Sequence, residues 1–185
     1  MGTDWSAIFG TFKTQVGATP DDVARLVEDL RRPVGPDDRR RIIDSQSNPW
    51  LPGDEFYAGW TPLDPVAWRL PTAPLPASWL DFLAWSNGCL ATNGEMEFGF
   101  FGTSEIREFI LGYHLPAYMP FAVPLGLDGS GNIALLDVRE PMTDLEYPIV
   151  VAAAGNLGFD EARPLASDFE SFCRITKRIE KILYP

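Results

Sequence analysis

The sequence predicts an α+β domain, a mainly antiparallel sheet with helices packed against it. Three observations carry this. Apolar residues recur at helical spacing near both ends of the chain. Glu95-Met96-Glu97-Phe98-Gly99-Phe100 alternates polar or small residues with apolar ones, the period-two pattern of a half-buried strand. Two further apolar runs, Phe121–Leu127 and Ile133–Val138, flank Asp128-Gly129-Ser130-Gly131-Asn132, a glycine-rich segment that reads as the bulged turn of a hairpin. Consecutive strands joined by a hairpin favour antiparallel pairing.

In order, Trp5, Ile8, Phe9, Phe12 and Val16 draw one apolar stripe and predict a helix from Asp4 to Val16, ended by Gly17. Thr19-Pro20-Asp21-Asp22 supplies a cap, a first-turn proline and acids at the positive helix end. Val23, Leu26, Val27 and Leu30 then carry a second helix to Arg31, and Asp37–Ser45 forms a third through Ile42 and Ile43. Arg31, Arg32, Arg39, Arg40 and Arg41, interspersed with Asp37 and Asp38, read as a solvated helical surface.

Between Pro49 and Pro76 lie seven of the chain's seventeen prolines, with Trp50, Phe56, Tyr57, Trp60 and Trp68 among them. Proline removes backbone donors and fixes φ, so this stretch is an ordered connector along the surface with at most a short edge strand. Helix resumes with Trp79, Phe82 and Leu83 and stops at Asn87-Gly88. A short helix capped at Thr103 or Ser104 turns Ile106, Phe109 and Ile110 inward. Tyr147–Ala152 is another strand. Ser167 and Glu170 read as a capping box opening a final helix, with Phe172, Ile175, Ile179, Ile182 and Leu183 on one face. Residues 1–70 form an N-terminal helical extension and connector packed on the core, and residues 71–185 the main domain.

The succession Leu75-Pro76, Trp79-Leu80, Phe82-Leu83, Asn87-Gly88, Phe98, Phe100 and Ser104-Glu105-Ile106 resembles the start of SMI1/KNR4 domains, the SUKH superfamily. The resemblance continues through Phe121, the Asp128–Asn132 turn, Leu136-Asp137, Pro148-Ile149-Val150 and Ala166-Ser167-Asp168-Phe169-Phe172, covering residues 71–175. It implies an α+β domain that binds other proteins. Many bacterial members look like immunity proteins that neutralise a toxin domain, and fungal relatives look like regulatory hubs of cell-wall synthesis.

The formal net charge is −11, and Asp81–Glu170 holds fourteen carboxylates against three arginines. Such a field repels nucleic acid and anionic membranes and draws basic proteins. No basic region followed by an apolar run opens the chain and no segment is long and apolar enough to span a bilayer, so a cytoplasmic protein is expected. Cys89 and Cys173 lie far apart in sequence, outside any CxxC spacing, and read as ordinary thiols.

No catalytic, cofactor or metal residues are assigned. His114, the single histidine, sits in Gly112-Tyr113-His114-Leu115-Pro116, which reads as a loop, and no Gly-x-Ser-x-Gly elbow accompanies it. One histidine and two scattered cysteines do not make a zinc site. The Asp128–Asn132 turn lacks the Lys and Ser/Thr of a phosphate loop and the terminal Glu of a calcium loop. Glu95 and Glu97 share one face of their strand, alternating with Met96 and Phe98, where they solvate the sheet, meet a partner or, third, form an acid–base pair. Trp85 lies off the Trp79–Phe82–Leu83 stripe and is either an interface anchor or buried under the aromatic connector. The expected partner-binding residues are therefore Trp85, Glu95, Glu97, Asp128, Ser130, Asn132 and Asp137, facing a basic protein, foremost a toxin domain. A regulatory scaffold is the second reading and a small-molecule enzyme the third.

Overall fold

The computed structural model describes residues 2–183. Seven strands form one sheet in strict chain order, and every neighbouring pair is antiparallel. They are β1 (Thr11–Thr14), β2 (Cys89–Asn93), β3 (Met96–Phe100), β4 (Ala122–Leu127), β5 (Asn132–Asp137), β6 (Ile149–Ala153) and β7 (Arg163–Ala166). The architecture is the predicted α+β one.

The N-terminal segment departs from the predicted single helix. Only α1 (Trp5–Ile8) is helical; the chain then extends into β1, which pairs with β2 from Thr11–Thr92 to Thr14–Cys89. The apolar spacing that suggests a long helix is satisfied differently. Trp5 and Ile8 point into the core, Phe12 packs edge-on against Trp85 at 5.3 Å, and Val16 is exposed. Asp81 anchors this segment by accepting from Thr3 N and Trp5 Nε1, at 3.1 and 2.9 Å.

Helix α2 (Pro20–Arg31) has the expected start: the Thr19 hydroxyl accepts from Asp22 N while the Asp22 carboxylate accepts from Thr19 N. Helix α3 (Pro36–Ser45) follows and buries Ile42. Three of the five arginines of this region are ion-paired: Arg32 with Asp29, Arg39 forking onto Asp64, and Arg41 bridging Asp38 and Glu108. In the connector the one regular element is a 3-10 turn, Pro65–Ala67, rather than an edge strand. Gln46 ties its backbone down through both amide atoms at Leu63.

Helix α4 (Ala77–Trp85) buries Trp79, Phe82 and Leu83 against one face of the sheet. Phe82 meets Phe100 at 4.8 Å, and Phe98 meets Phe172 of α7 (Phe169–Cys173) at 5.0 Å. One carboxylate serves both helices: Glu146 accepts from Ser78 N and from Phe169 N, so two positive helix ends share one charge. The capping box expected at Ser167–Glu170 is replaced by Asp168, whose carboxylate accepts from Ser171 N. The expected final helix is broken. Beyond Arg174 the chain leaves helical geometry, Thr176 O accepts from Glu95 N at 2.7 Å, and only α8 (Glu180–Leu183) resumes the helix.

Helix α5 (Ile106–Gly112) and the single turn α6 (Leu115–Tyr118), where a loop is expected, cover β4 on the opposite face. Helix α5 starts later than Thr103 or Ser104, since Thr103 N donates to Asn87 Oδ1 instead. Arg107 of α5 is 4% exposed. Its guanidinium donates to the carbonyls of Asp29, Arg32 and Pro33 and to Asp38 Oδ2, closing the C-terminal end of α2 onto α5. The expected bulge lies within β4, between Pro124 and Gly126, not in the glycine-rich turn.

Candidate functional site

Because β3 and β4 run antiparallel, the start of β3 lies beside the end of β4, and two turns meet at one end of the sheet. One is Gly94-Glu95 between β2 and β3; the other is Asp128–Gly131 between β4 and β5. The two strands pair at only two positions, Gly99 with Leu127 and Phe100 with Gly126, so the sheet opens toward these turns. A cleft of about 230 Å³ fills the opening, lined by Glu95, Glu97, Asp128, Ser130, Arg178 and Glu180 among others.

Four of the sequence-predicted residues thus converge: Glu95, Glu97, Asp128 and Ser130. Their roles differ. Glu95 belongs to the turn and is paired at 2.8 Å with Lys181; the hydrogen bond and charge of Lys181 hold its carboxyl below the usual range. Glu97 is exposed and has no ion-pair partner among the described residues. Asp128 is the scaffold of its turn, accepting from Ser130 N, Asn132 N and Asn132 Nδ2 at 2.9, 3.0 and 2.6 Å. Asn132 is buried beneath the turn, so it shapes the rim and presents nothing to a partner. The C-terminal segment brings Arg178 and Lys181 to this face, so it carries counter-charges that the acidic stretch 81–170 does not reveal.

Two predicted residues lie elsewhere. Trp85 is half-buried on the other side of the sheet between Phe9, Phe12 and Phe82, with ring centroids 6.1, 5.3 and 5.6 Å away. It is a packing residue, and the N-terminal segment covers it, not the proline-rich connector. Asp137 occupies the far end of β5 from Asp128. Arg139 forks onto it at 2.8 and 2.6 Å and also lies over the Phe159 ring. A strand's length of about 17 Å, at ~3.3 Å per residue, separates it from the cleft.

The cleft continues onto a surface that the sequence reading passed over. Strand alternation turns Leu90, Glu97 and Gly99 outward on the face opposite α4, and Leu90 is 49% exposed. With Phe101, Leu127 and Glu105 they form a depression of about 320 Å³. Phe101 and Glu105 also border a groove of about 410 Å³ along α5, completed by Glu108, Phe109, Gly112 and Tyr113. Phe101, Phe109 and Tyr113 form a row of rings, 4.4 Å and then 4.1 Å apart, the second pair nearly parallel at 14°. Their four-residue spacing, 101–105–109–113, is the signal in the sequence: it places two aromatics and a glutamate in one row of a helix with a third ring preceding it. The inward position predicted for Phe109 overlooks that it is only half-buried.

The remaining reactive groups are occupied structurally. His114 has left-handed backbone, φ 54°, and packs against Trp68, the rings 5.5 Å apart and tilted by 51°; burial lowers its pKa. Both cysteines are free and buried; burial pushes the Cys89 thiol up to about 11 and raises Cys173 well above its ordinary value. Among the described residues no cluster of three or more His, Cys, Asp or Glu could hold a metal ion, and no helix is long and apolar enough to cross a membrane.

A comparison with curated proteins finds no match to the chain. A comparison with family models matches residues 65–174, which run from the 3-10 turn through α7 and include both hairpins and the whole α5 groove. With that match spanning more than half of its length, on an antiparallel sheet flanked by helices, the chain belongs to the SMI1/KNR4 family (SUKH-1).

Proposed function

We propose that this chain is a non-catalytic binding module that neutralises a cognate toxin domain by direct contact. The observation that carries this reading is the continuous surface from the hairpin turns to α5. It joins an apolar floor (Leu90, Phe101, Leu127, Phe109) to the carboxylates Glu97, Asp128, Glu105 and Glu108. Productive interfaces have this anatomy, with aromatic anchors supplying affinity while charges at the rim set on-rate and partner choice. Family membership supports the reading, since the family includes immunity proteins. The state of the reactive groups agrees with it: Glu95 is paired with Lys181, His114 packs against Trp68, and both thiols are pushed toward the protonated form. A basic toxin suits the net charge of −11, and the cytoplasm is where two free thiols stay reduced.

The test is a tagged pull-down from the native host, washed at low and high salt, followed by co-expression. One stoichiometric partner that kills a host alone and is harmless beside this chain supports the reading. Retention of full rescue by a Glu97→Lys, Asp128→Lys double variant refutes the placement of the surface.

A second reading, a regulatory hub with several partners, is favoured by one observation. The connector exposes Trp50, Leu51, Phe56 and Tyr57 together, a separate aromatic patch remote in sequence from the acidic face. Several sub-stoichiometric, non-toxic partners lost on changing Trp50 and Phe56 would select it.

A further inference from the structure

We propose that the groove along α5 is an anchoring subsite for an arginine side chain of the partner. The inference rests on the protein-binding reading above and names the chemistry that reading leaves open. The wall is the row Phe101, Phe109, Tyr113; Phe109 and Tyr113 cover each other's inner faces at 4.1 Å, so the ring face left for a ligand is the outer one of Tyr113, which is 37% exposed. The rim carries Glu105 and Glu108. A guanidinium is planar, is weakly hydrated compared with an ammonium, stacks on aromatic faces and forks onto carboxylates. A site offering both an aromatic wall and a carboxylate rim selects it over a lysine of equal charge.

Gly112 supplies the second argument. Its backbone lies outside the left-handed region, and a Cβ built there meets nothing within 4 Å. Neither strain nor crowding requires glycine at the end of this helix, and alanine is the better helix former. What the missing side chain does is leave the groove open between Glu108 and Tyr113. The third argument is that the rim already takes a guanidinium: Arg41 reaches Glu108 at 2.7 and 3.4 Å. Both members of that pair are more than half exposed, so it yields readily to a competitor. Glu105 spends one oxygen on Gly102 N at 2.8 Å and keeps the other for a ligand.

The probe is N-acetyl-arginine amide, titrated into the full chain by two-dimensional amide NMR, with N-acetyl-lysine amide as control. Both carry one positive charge, so accumulation driven by the acidic field is common to the two. The expected result is saturable shifts at Glu105, Glu108, Phe109, Gly112 and Tyr113, with arginine at least about fivefold tighter than lysine. Gly112→Leu and Tyr113→Ala each weaken it by about fivefold or more, and Arg41→Ala tightens it by removing the competitor. Gly112→Leu melts no lower than the parent protein, since leucine is a better helix former than glycine and a Cβ there meets nothing, so its loss of binding is not loss of fold. Equal shifts by both amides, shifts confined to the Glu95–Asp128 cleft, or none up to about 50 mM overturn the subsite. The result is independent of toxin rescue. Arginine binding without a toxin partner removes the toxin reading and keeps the subsite; rescue without arginine binding does the reverse.

Discussion

Replacing Arg107 by methionine is the most informative single perturbation of this fold. The guanidinium closes three backbone carbonyls at the end of α2 and pairs with Asp38 at 2.9 Å, from a side chain that is 5% exposed. Methionine fills much of the volume but donates nothing, so the carbonyls and one carboxylate are left in a site with little access to water. Breaking a buried pair by removing one partner costs roughly 3–5 kcal/mol. Asp38 retains 20% exposure and also touches Arg41, which places the expected loss near the low end, about 3 kcal/mol. Equilibrium urea unfolding at pH 7 reads this as a lower midpoint at unchanged slope. In an Asp38→Asn background the cost of the same substitution falls, with a coupling of about 1–3 kcal/mol. Acid supplies an independent check. Burial raises the Asp38 pKa, but the hydrogen bond and charge of Arg107, with Arg41 and Arg32, outweigh it and hold the carboxyl below its ordinary value. A depressed carboxyl stabilises the fold fully above the unfolded value near ~3.9 and loses that contribution as the pH falls through the folded value. The gap between the parent protein and Arg107→Met therefore narrows below about pH 4. A loss under about 1 kcal/mol at pH 7, or a gap that widens in acid, refutes the account.

Three further outcomes are expected. Gly126→Ala puts a Cβ 2.0 Å from the Gly99 carbonyl oxygen at the narrow β3–β4 junction; it costs about 3 kcal/mol or more, seen as a lower thermal midpoint. Trp5→Phe keeps a ring against Phe82 but removes the indole bond to Asp81 and part of the buried ring volume, costing about 2 kcal/mol by urea unfolding, whereas Trp5→Ala costs about 3–5 kcal/mol. Asp168→Ala removes the α7 cap and costs about 1 kcal/mol at pH 7. Burial raises the Asp168 pKa, but its bonds from Ser171 and Ser167 outweigh this and depress it, so the difference from the parent protein fades as the pH drops below about 4.

The elements legible in the sequence are those whose pattern is local. Helix α2 announces itself through Thr19, Pro20 and Asp22, and the β4–β5 hairpin through two apolar runs about a glycine turn. The elements that were not legible depend on partners distant in the chain. Phe12 fits a helical stripe as well as a strand, and only pairing with β2 decides for the strand. Strand β2 hides because its inward residues are the small Cys89 and Ala91 while Leu90 points out, reversing the usual contrast. The final helix breaks where the backbone at Thr176 bonds the β2–β3 turn, which no local spacing encodes. Of the site, the carboxylates of the hairpin turns were visible as charge and alternation. The pairing of Asp137 with Arg139 and the arrival of Arg178 and Lys181 were not, because each is a question of which end of a strand or which tail comes near.

The strictly sequential order of the sheet leaves its first and last strands as free borders, and each is blunted. Strand β1 is four residues long and carries Lys13 in its middle; a neighbour adding itself there would bring two ammonium groups toward one another. Strand β7 is equally short, contains Pro164, which offers no amide hydrogen, and joins β6 through a register shift that bends it. Short borders with a charge, a proline or a kink resist recruitment into runaway sheets. Contact with another molecule is thereby left to the faces of the sheet and its helices, while the borders keep copies of the chain from stacking edge to edge.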